Sequence, residues 1–230
     1  MTPVKRIRPV LAVLVTIATI ALSPARADVL VSNLSVPFRS TTPIGNAHDM
    51  IEYWAAQSFF TDANTYTLTS IRAMLRDGMG APLVVAELRA PDAATTGFTP
   101  DTTAAGLLAT FTAPDVTGAT SPRLFSPIGS VTLLPNTEYW FILGSMTGTY
   151  GWDYTENPTG LSTGPGSTSY FSDSSDSGGT WRNYGGSTSN PYFIEVNVLA
   201  SAVPEPGSLT LMGIAVGLGL FGRAWRRQVV

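Results

Sequence analysis

Along residues 28–203, apolar side chains recur at every second position and hardly anywhere at helical spacing. Successive side chains of a strand point to opposite faces, so this period restricts the chain to β-structure with one buried side and one wet side. The clearest case is "PYFIEVNVLA", where Ile194, Val196 and Val198 share one face and Glu195 and Asn197 the other. "YTLTSIRAML" alternates in two phases, Tyr66 and Leu68 and then Ile71, Ala73 and Leu75. A phase change of one residue predicts a β-bulge near Thr69 or Ser70.

Other strands follow from the same pattern. "DVLVSNLSV" puts Val29, Val31 and Leu34 near one face, and "LVVAELR" and "GLLATFTAP" read as strands at 83–89 and 106–114. "VTLLPNTEYWFILG" reads as a hairpin turning on Pro135-Asn136, with the almost wholly apolar Tyr139–Leu143 at the centre of the core. Residues 155–190 are rich in Gly, Ser, Thr and Asp, which predicts long loops with short strands near Ser169–Phe171 and Trp181–Tyr184. Many short strands separated by turn residues predict an all-β fold, an antiparallel β-sandwich of jelly-roll type.

The two ends have a different composition. Lys5, Arg6 and Arg8 precede an uncharged run from Val10 to Leu22, followed by Ala25-Arg26-Ala27. Charged, apolar and small-residue regions in this order predict a secretory signal peptide over 1–27, with Ala25 and Ala27 at the cleavage site and Asp28 as the mature N-terminus. As a helix the apolar run would cover only about 20 Å, short for an uncleaved anchor. At the other end Pro204-Glu205-Pro206 lies in a linker, 200–208, ahead of an apolar segment, 209–225, and a basic tail, 226–230. A helix over that segment would reach roughly 25 Å, a marginal membrane span. Arg223, Arg226 and Arg227 predict that its end stays on the cytoplasmic side and that residues 28–199 lie outside as one domain.

The combination of Val-Pro-Glu-Pro, a short glycine-rich apolar segment and a terminal arginine cluster resembles the PEP-CTERM sorting signal of exosortase substrates. The resemblance covers about the last 27 residues. It implies export by a bacterium with a Gram-negative envelope, recognition of Pro204, Glu205 and Pro206 by a membrane-embedded exosortase, and removal of the tail. It also implies a role linked to exopolysaccharide or biofilm matrix. A plain single-pass anchor, with the prolines as an incidental linker, is the alternative. "AAQSFFTDANTYTLTSIRAML", "VTLLPNTEYWFIL" and "YGWDYT" are in turn similar to the choice-of-anchor R domain, through Gln57, Ser58, Phe59, Tyr66, Leu68, Ile71, Leu134, Asn136, Tyr139 and Trp140. No enzymatic activity comes with that resemblance.

Composition excludes several classes of chemistry. The chain has no cysteine, hence no disulfide, thiolate nucleophile or thiolate metal site. Residues 28–203 hold six arginines, no lysine and more than twice as many carboxylates, the reverse of a nucleic-acid-binding surface. The lone histidine, His48, lies beside Asp49 and Glu52, but no G-x-S-x-G or H-E-x-x-H pattern accompanies it. The carboxylate pair Asp153 and Glu156 is the candidate for a glycan hydrolase, where one acid protonates the leaving group and the other acts as nucleophile or base.

Asp173 and Asp176 are a candidate calcium site in an oxygen-rich loop, although the D-x-D-x-D-G spacing is missing; no other cofactor is expected. Aromatic residues concentrate in the same region. Trp152, Tyr154, Trp181 and Tyr184 are the candidates for stacking on sugar rings beside Asp and Asn groups, as in a polysaccharide-binding module. The alternative is that Trp152 and Trp181 plug one end of the fold.

Overall fold

A computed structural model describes residues 27–46, 52–155, 162–183 and 190–200. Its strands are β1 (Ala27–Ser32), β2 (Ser40–Asn46), β3 (Glu52–Phe60), β4 (Tyr66–Met79), β5 (Val84–Arg89) and β6 (Leu107–Thr112). They continue as β7 (Ser121–Pro127), β8 (Val131–Leu133), β9 (Glu138–Ser145), β10 (Thr149–Tyr154), β11 (Ser167–Ser174), β12 (Arg182–Asn183) and β13 (Ile194–Ala200). All pair antiparallel. Residues 1–26 of the expected signal peptide, Pro204-Glu205-Pro206, the 209–225 segment and Arg223, Arg226 and Arg227 lie outside the described residues, as do His48, Glu156 and Tyr184, while Ala27 of the expected cleavage site is the first residue of β1.

The β-strand expectation holds, but the strands close on themselves instead of forming two separate sheets. Eight of them form a hydrogen-bonded ring in the order β4-β10-β2-β3-β9-β5-β6-β7 and back to β4. Two corners of the ring are thin. β2 meets β3 only through Gly45↔Tyr53 and Asn46↔Glu52, and β6 meets β7 only through Phe111↔Pro127 and Thr112↔Ser126. β13 and β1 extend the ring from one edge of β4, and β11 with β12 extends it from β3.

β4 can serve so many partners because it is fourteen residues long and bulged. Opposite it, Asn197 pairs with Ser70 and Val198 with Leu68, so Thr69 is the extra residue where the sequence changes phase. The bulge lets Leu68 and Ile71, three positions apart, both face the core, at 3% and 0% exposure. In β1 the alternation misleads: a second bulge turns Val29 outward, and Leu30 and Val31 are the buried residues.

The expected hairpin at Pro135-Asn136 is a crossover. β8 pairs with β4 (Tyr66↔Leu133), whereas β9 pairs with β3 and β5 across the ring. Asn136 adopts φ +48° in the turn and donates its N–H to the Asp62 carbonyl at 2.7 Å, which redirects the chain. All eight residues of β9 are buried. Tyr139, Phe141 and Leu143 enter the main core, while Trp140 and Ile142 join Ala56 in a second apolar cluster on the outer face.

Inside the ring, aromatic rings make edge-on and stacked contacts. Phe141 meets Phe111, Phe125 and Trp152 edge-on at 5.3, 5.4 and 5.9 Å, and Trp152 stacks on Tyr192 at 4.5 Å. Two buried amides fix Tyr192 in register. Gln57 accepts from the Tyr192 N–H at 2.8 Å and donates to the Tyr170 carbonyl at 2.9 Å, and Asn33 donates to the Tyr192 carbonyl at 2.9 Å. Of the positions on which the expected choice-of-anchor resemblance rests, Phe59, Tyr66, Leu68, Ile71, Tyr139 and Trp140 are core and Asn136 is a turn, while Leu134 is 56% exposed.

Candidate functional site: an aromatic groove on the outer face

Because Ala55, Gln57 and Phe59 of β3 point inward, Trp54, Ala56 and Ser58 point outward, beside Trp140 and Ile142 of β9. An outer face this apolar needs cover. Part of it lies under the loop after β5, where Gly97 accepts from Trp140 Nε1 at 3.2 Å and Phe98 meets Tyr170 edge-on at 4.9 Å. The uncovered part is a groove of about 400 Å³ lined by Trp54, Trp181, Ile142, Glu87, Arg89 and Asp176.

Each wall is held in place. Glu87 and Arg89 project from the same side of β5 and pair at 2.7 Å, and Arg89 also donates to the Asp101 and Thr103 carbonyls at 2.8 and 3.1 Å. Asp176 organises the opposite loop by accepting from Ser174 Oγ at 2.6 Å and from the Thr180 N–H at 2.8 Å. These hydrogen bonds, led by Ser174, hold its carboxyl down at about 2. Trp54 lies against Gly144, where any β-carbon would overlap the indole. On the loop side Gly178, at φ +83°, leaves room for it, since a β-carbon there would stand 3.0 Å from the ring. Trp181 donates its indole N–H to the Gly178 carbonyl at 3.1 Å, and Ser177 donates to Glu52. The buried Nε1 of Trp54 has no hydrogen-bond partner.

The residues singled out from sequence do not form one platform. Trp181 lines the groove. Trp152 is 0% exposed at the centre of the ring, and its Nε1 donates to the Phe193 carbonyl at 3.1 Å, so it cannot stack on a ligand. The physical reason is β10: Thr149–Tyr154 is a strand with β4 on one edge and β2 on the other, not a loop. Tyr154, partly buried, lines a separate recess of about 240 Å³ with Tyr53, Phe171, Asp173 and Tyr192.

Asp173 accepts from the Tyr53 hydroxyl there, while Asp176 lines the outer groove, so the two carboxylates do not converge. Among the described residues no group of three or more His, Asp or Glu is placed to hold a metal ion. Asp153 is 2% exposed and accepts from Arg76 Nε at 2.7 Å and Thr41 Oγ1 at 2.6 Å, so it is an internal ion-pair member and not a solvated loop residue.

Trp54, Glu87 and Arg89 are the groove residues that sequence reading missed. The available signal was the outward register of β3: once Phe59 is placed inside, a period of two puts Trp54 outside. No protein-family model matches this chain, and no curated protein matches it. Among the described residues no helix is long and apolar enough to cross a membrane.

Chemically, the groove offers two indole rings, two carboxylates and one arginine already engaged by carboxylate and carbonyls. Such a surface suits a hydroxyl-rich ligand with apolar ring faces, because the carboxylates accept from hydroxyls and the indoles cover C–H faces.

Proposed function

We propose that this chain is an exported, non-enzymatic β-protein of a bacterial envelope, cut by an exosortase-type membrane enzyme near Pro204-Glu205-Pro206 and retained in the exopolysaccharide or biofilm matrix. The observation that carries this reading is the joint occurrence of that triplet, a short apolar segment and Arg223, Arg226 and Arg227 in one stretch of sequence. The chain is held at the membrane by its C-terminal segment before processing, and then belongs to the cell surface or matrix. The all-β unit is consistent with an extracellular role, and its ends lie together, since Ala27 pairs with Leu199.

Mass spectrometry of both termini in protein recovered from host envelope and medium tests the route. The expected product starts at Asp28 and ends near Val203–Pro206, and a triple alanine variant of Pro204-Glu205-Pro206 accumulates uncut. An intact Arg223–Val230 end in the wild-type protein would refute processing.

The second reading is a polysaccharide-binding module, favoured by the outer groove in place of the loop platform expected from sequence. Titration with the host's own exopolysaccharide should show saturable binding that weakens in Trp181→Ala and Trp54→Ala; equal binding by these variants, still folded, would remove the groove from the reading. A hydrolase using Asp153 is disfavoured because that carboxylate is buried and engaged by Arg76 and Thr41.

A further inference from the structure

At the thin β6–β7 corner the ring wall is incomplete. β6 has ladder partners in β7 only at Phe111 and Thr112, joined by the Ile128 N–H to the Thr110 carbonyl at 2.8 Å, and β8 is paired to β4. Leu108 and Val131 line a cleft of about 330 Å³ there, together with Pro91, Leu134, Tyr139 and Glu138. Its rim is apolar and open to water: Leu108 is 42% exposed and Leu134 56%.

Glu138 is the exception in this wall. It is 9% exposed, and its Oε1 has neither solvent contact nor a hydrogen-bond partner. The Ser58 hydroxyl is the neighbour that favours its charge, and no arginine does so. Residues 28–203 supply no lysine. A buried carboxyl without a cation is costly to ionise, so burial pushes Glu138 up to about 7. The missing element is a positive charge that can enter with an apolar body.

We propose that this cleft is a binding site for a small organic ammonium ion, its nitrogen meeting the Glu138 carboxylate and its hydrocarbon body lying against Leu108, Leu134 and Tyr139. A neutral alcohol of the same shape would gain the apolar contact but leave the carboxylate uncompensated. An anion would be repelled. Where Glu138 is protonated before binding, the ammonium ion enters with all its protons and the carboxyl proton is released to solvent, so complex formation is coupled to buffer protonation.

The test is isothermal titration of the full chain with benzylamine, with benzyl alcohol as the neutral probe, in two buffers of different ionisation enthalpy. Benzylamine should bind more tightly than benzyl alcohol, and near neutral pH its observed enthalpy should differ between the buffers. Glu138→Gln should weaken benzylamine by at least about tenfold, the loss of a hydrogen bond to a charged group, and leave benzyl alcohol unchanged. Leu134→Lys, at an exposed rim position, should weaken benzylamine as well, by setting a like charge at the mouth. Equal affinity for the two probes, full benzylamine affinity in Glu138→Gln, or no saturable binding would each overturn the proposal.

Discussion

Replacing Glu138 by Gln should stabilise the protein, by an amount that grows between about pH 4.5 and pH 7 and persists above. Glu138 begins β9, pairs opposite Phe60, and is buried beneath the edge of the Gly97 loop, where a β-carbon on Gly97 would stand 3.1 Å from its Oε2. Desolvation raises its carboxyl from 4.5 to about 7. In the unfolded chain the group ionises at its ordinary value; in the folded chain it keeps its proton until higher pH. Between those limits the unfolded state binds fewer protons, so stability is fully present below the unfolded value and is lost as pH rises toward the folded one.

At about 1.4 kcal/mol per pH unit, this rise corresponds to a loss of about 3 kcal/mol between roughly pH 4.5 and pH 7. Glutamine keeps the shape and cannot ionise. Asp62, Asp101, Asp115 and Asp176 have lowered carboxyls, whose stabilisation fades instead as pH falls, and they titrate identically in both proteins. The difference between Glu138→Gln and wild type therefore isolates Glu138. Urea unfolding across this range should show the variant gaining on the wild type by on the order of 3 kcal/mol from the acid to the alkaline end. A difference that does not change with pH would refute the reasoning.

Three further outcomes follow from the packing. Trp152→Ala empties the centre of the ring and should cost about 3–5 kcal/mol in urea unfolding, while Trp181→Ala on the outer face should cost much less. Gln57→Leu strips the Tyr192 N–H and the Tyr170 carbonyl of their side-chain partner, with an expected loss of about 1–3 kcal/mol that Gln57→Ala should not reduce. Gly144→Ala places a β-carbon in the Trp54 indole; Trp54 should leave its seat, read as a changed near-ultraviolet circular dichroism spectrum with secondary structure retained.

Alternation made much of the fold legible. Tyr66–Leu75, Val84–Arg89, Leu107–Thr112, Tyr139–Leu143 and Ile194–Ala200 are strands because their side chains alternate or run wholly apolar, and the Thr69 bulge is written in the phase change of β4. β10 shows where composition misled. Tyr150, Trp152 and Tyr154 keep a strict period of two, but Gly151, Asp153 and the polar run after Thr155 gave the stretch a loop-like composition. The aspartate is tolerable in a buried strand only because Arg76, seventy-seven positions earlier, arrives beside it on β4.

From the sequence alone came the all-β class, the absence of thiol chemistry, the acidic balance of residues 28–203 and the terminal motifs. These depend on residue type and local spacing, which a linear chain carries in full. Ring closure, the crossover at Asn136, the outer groove and the burial of Glu138 without a cation came only with tertiary structure. Each depends on strands distant in sequence meeting at a particular register. Alternation specifies which face of a strand is buried but not which strand lies beside it, and a side chain's partners are decided by that neighbour.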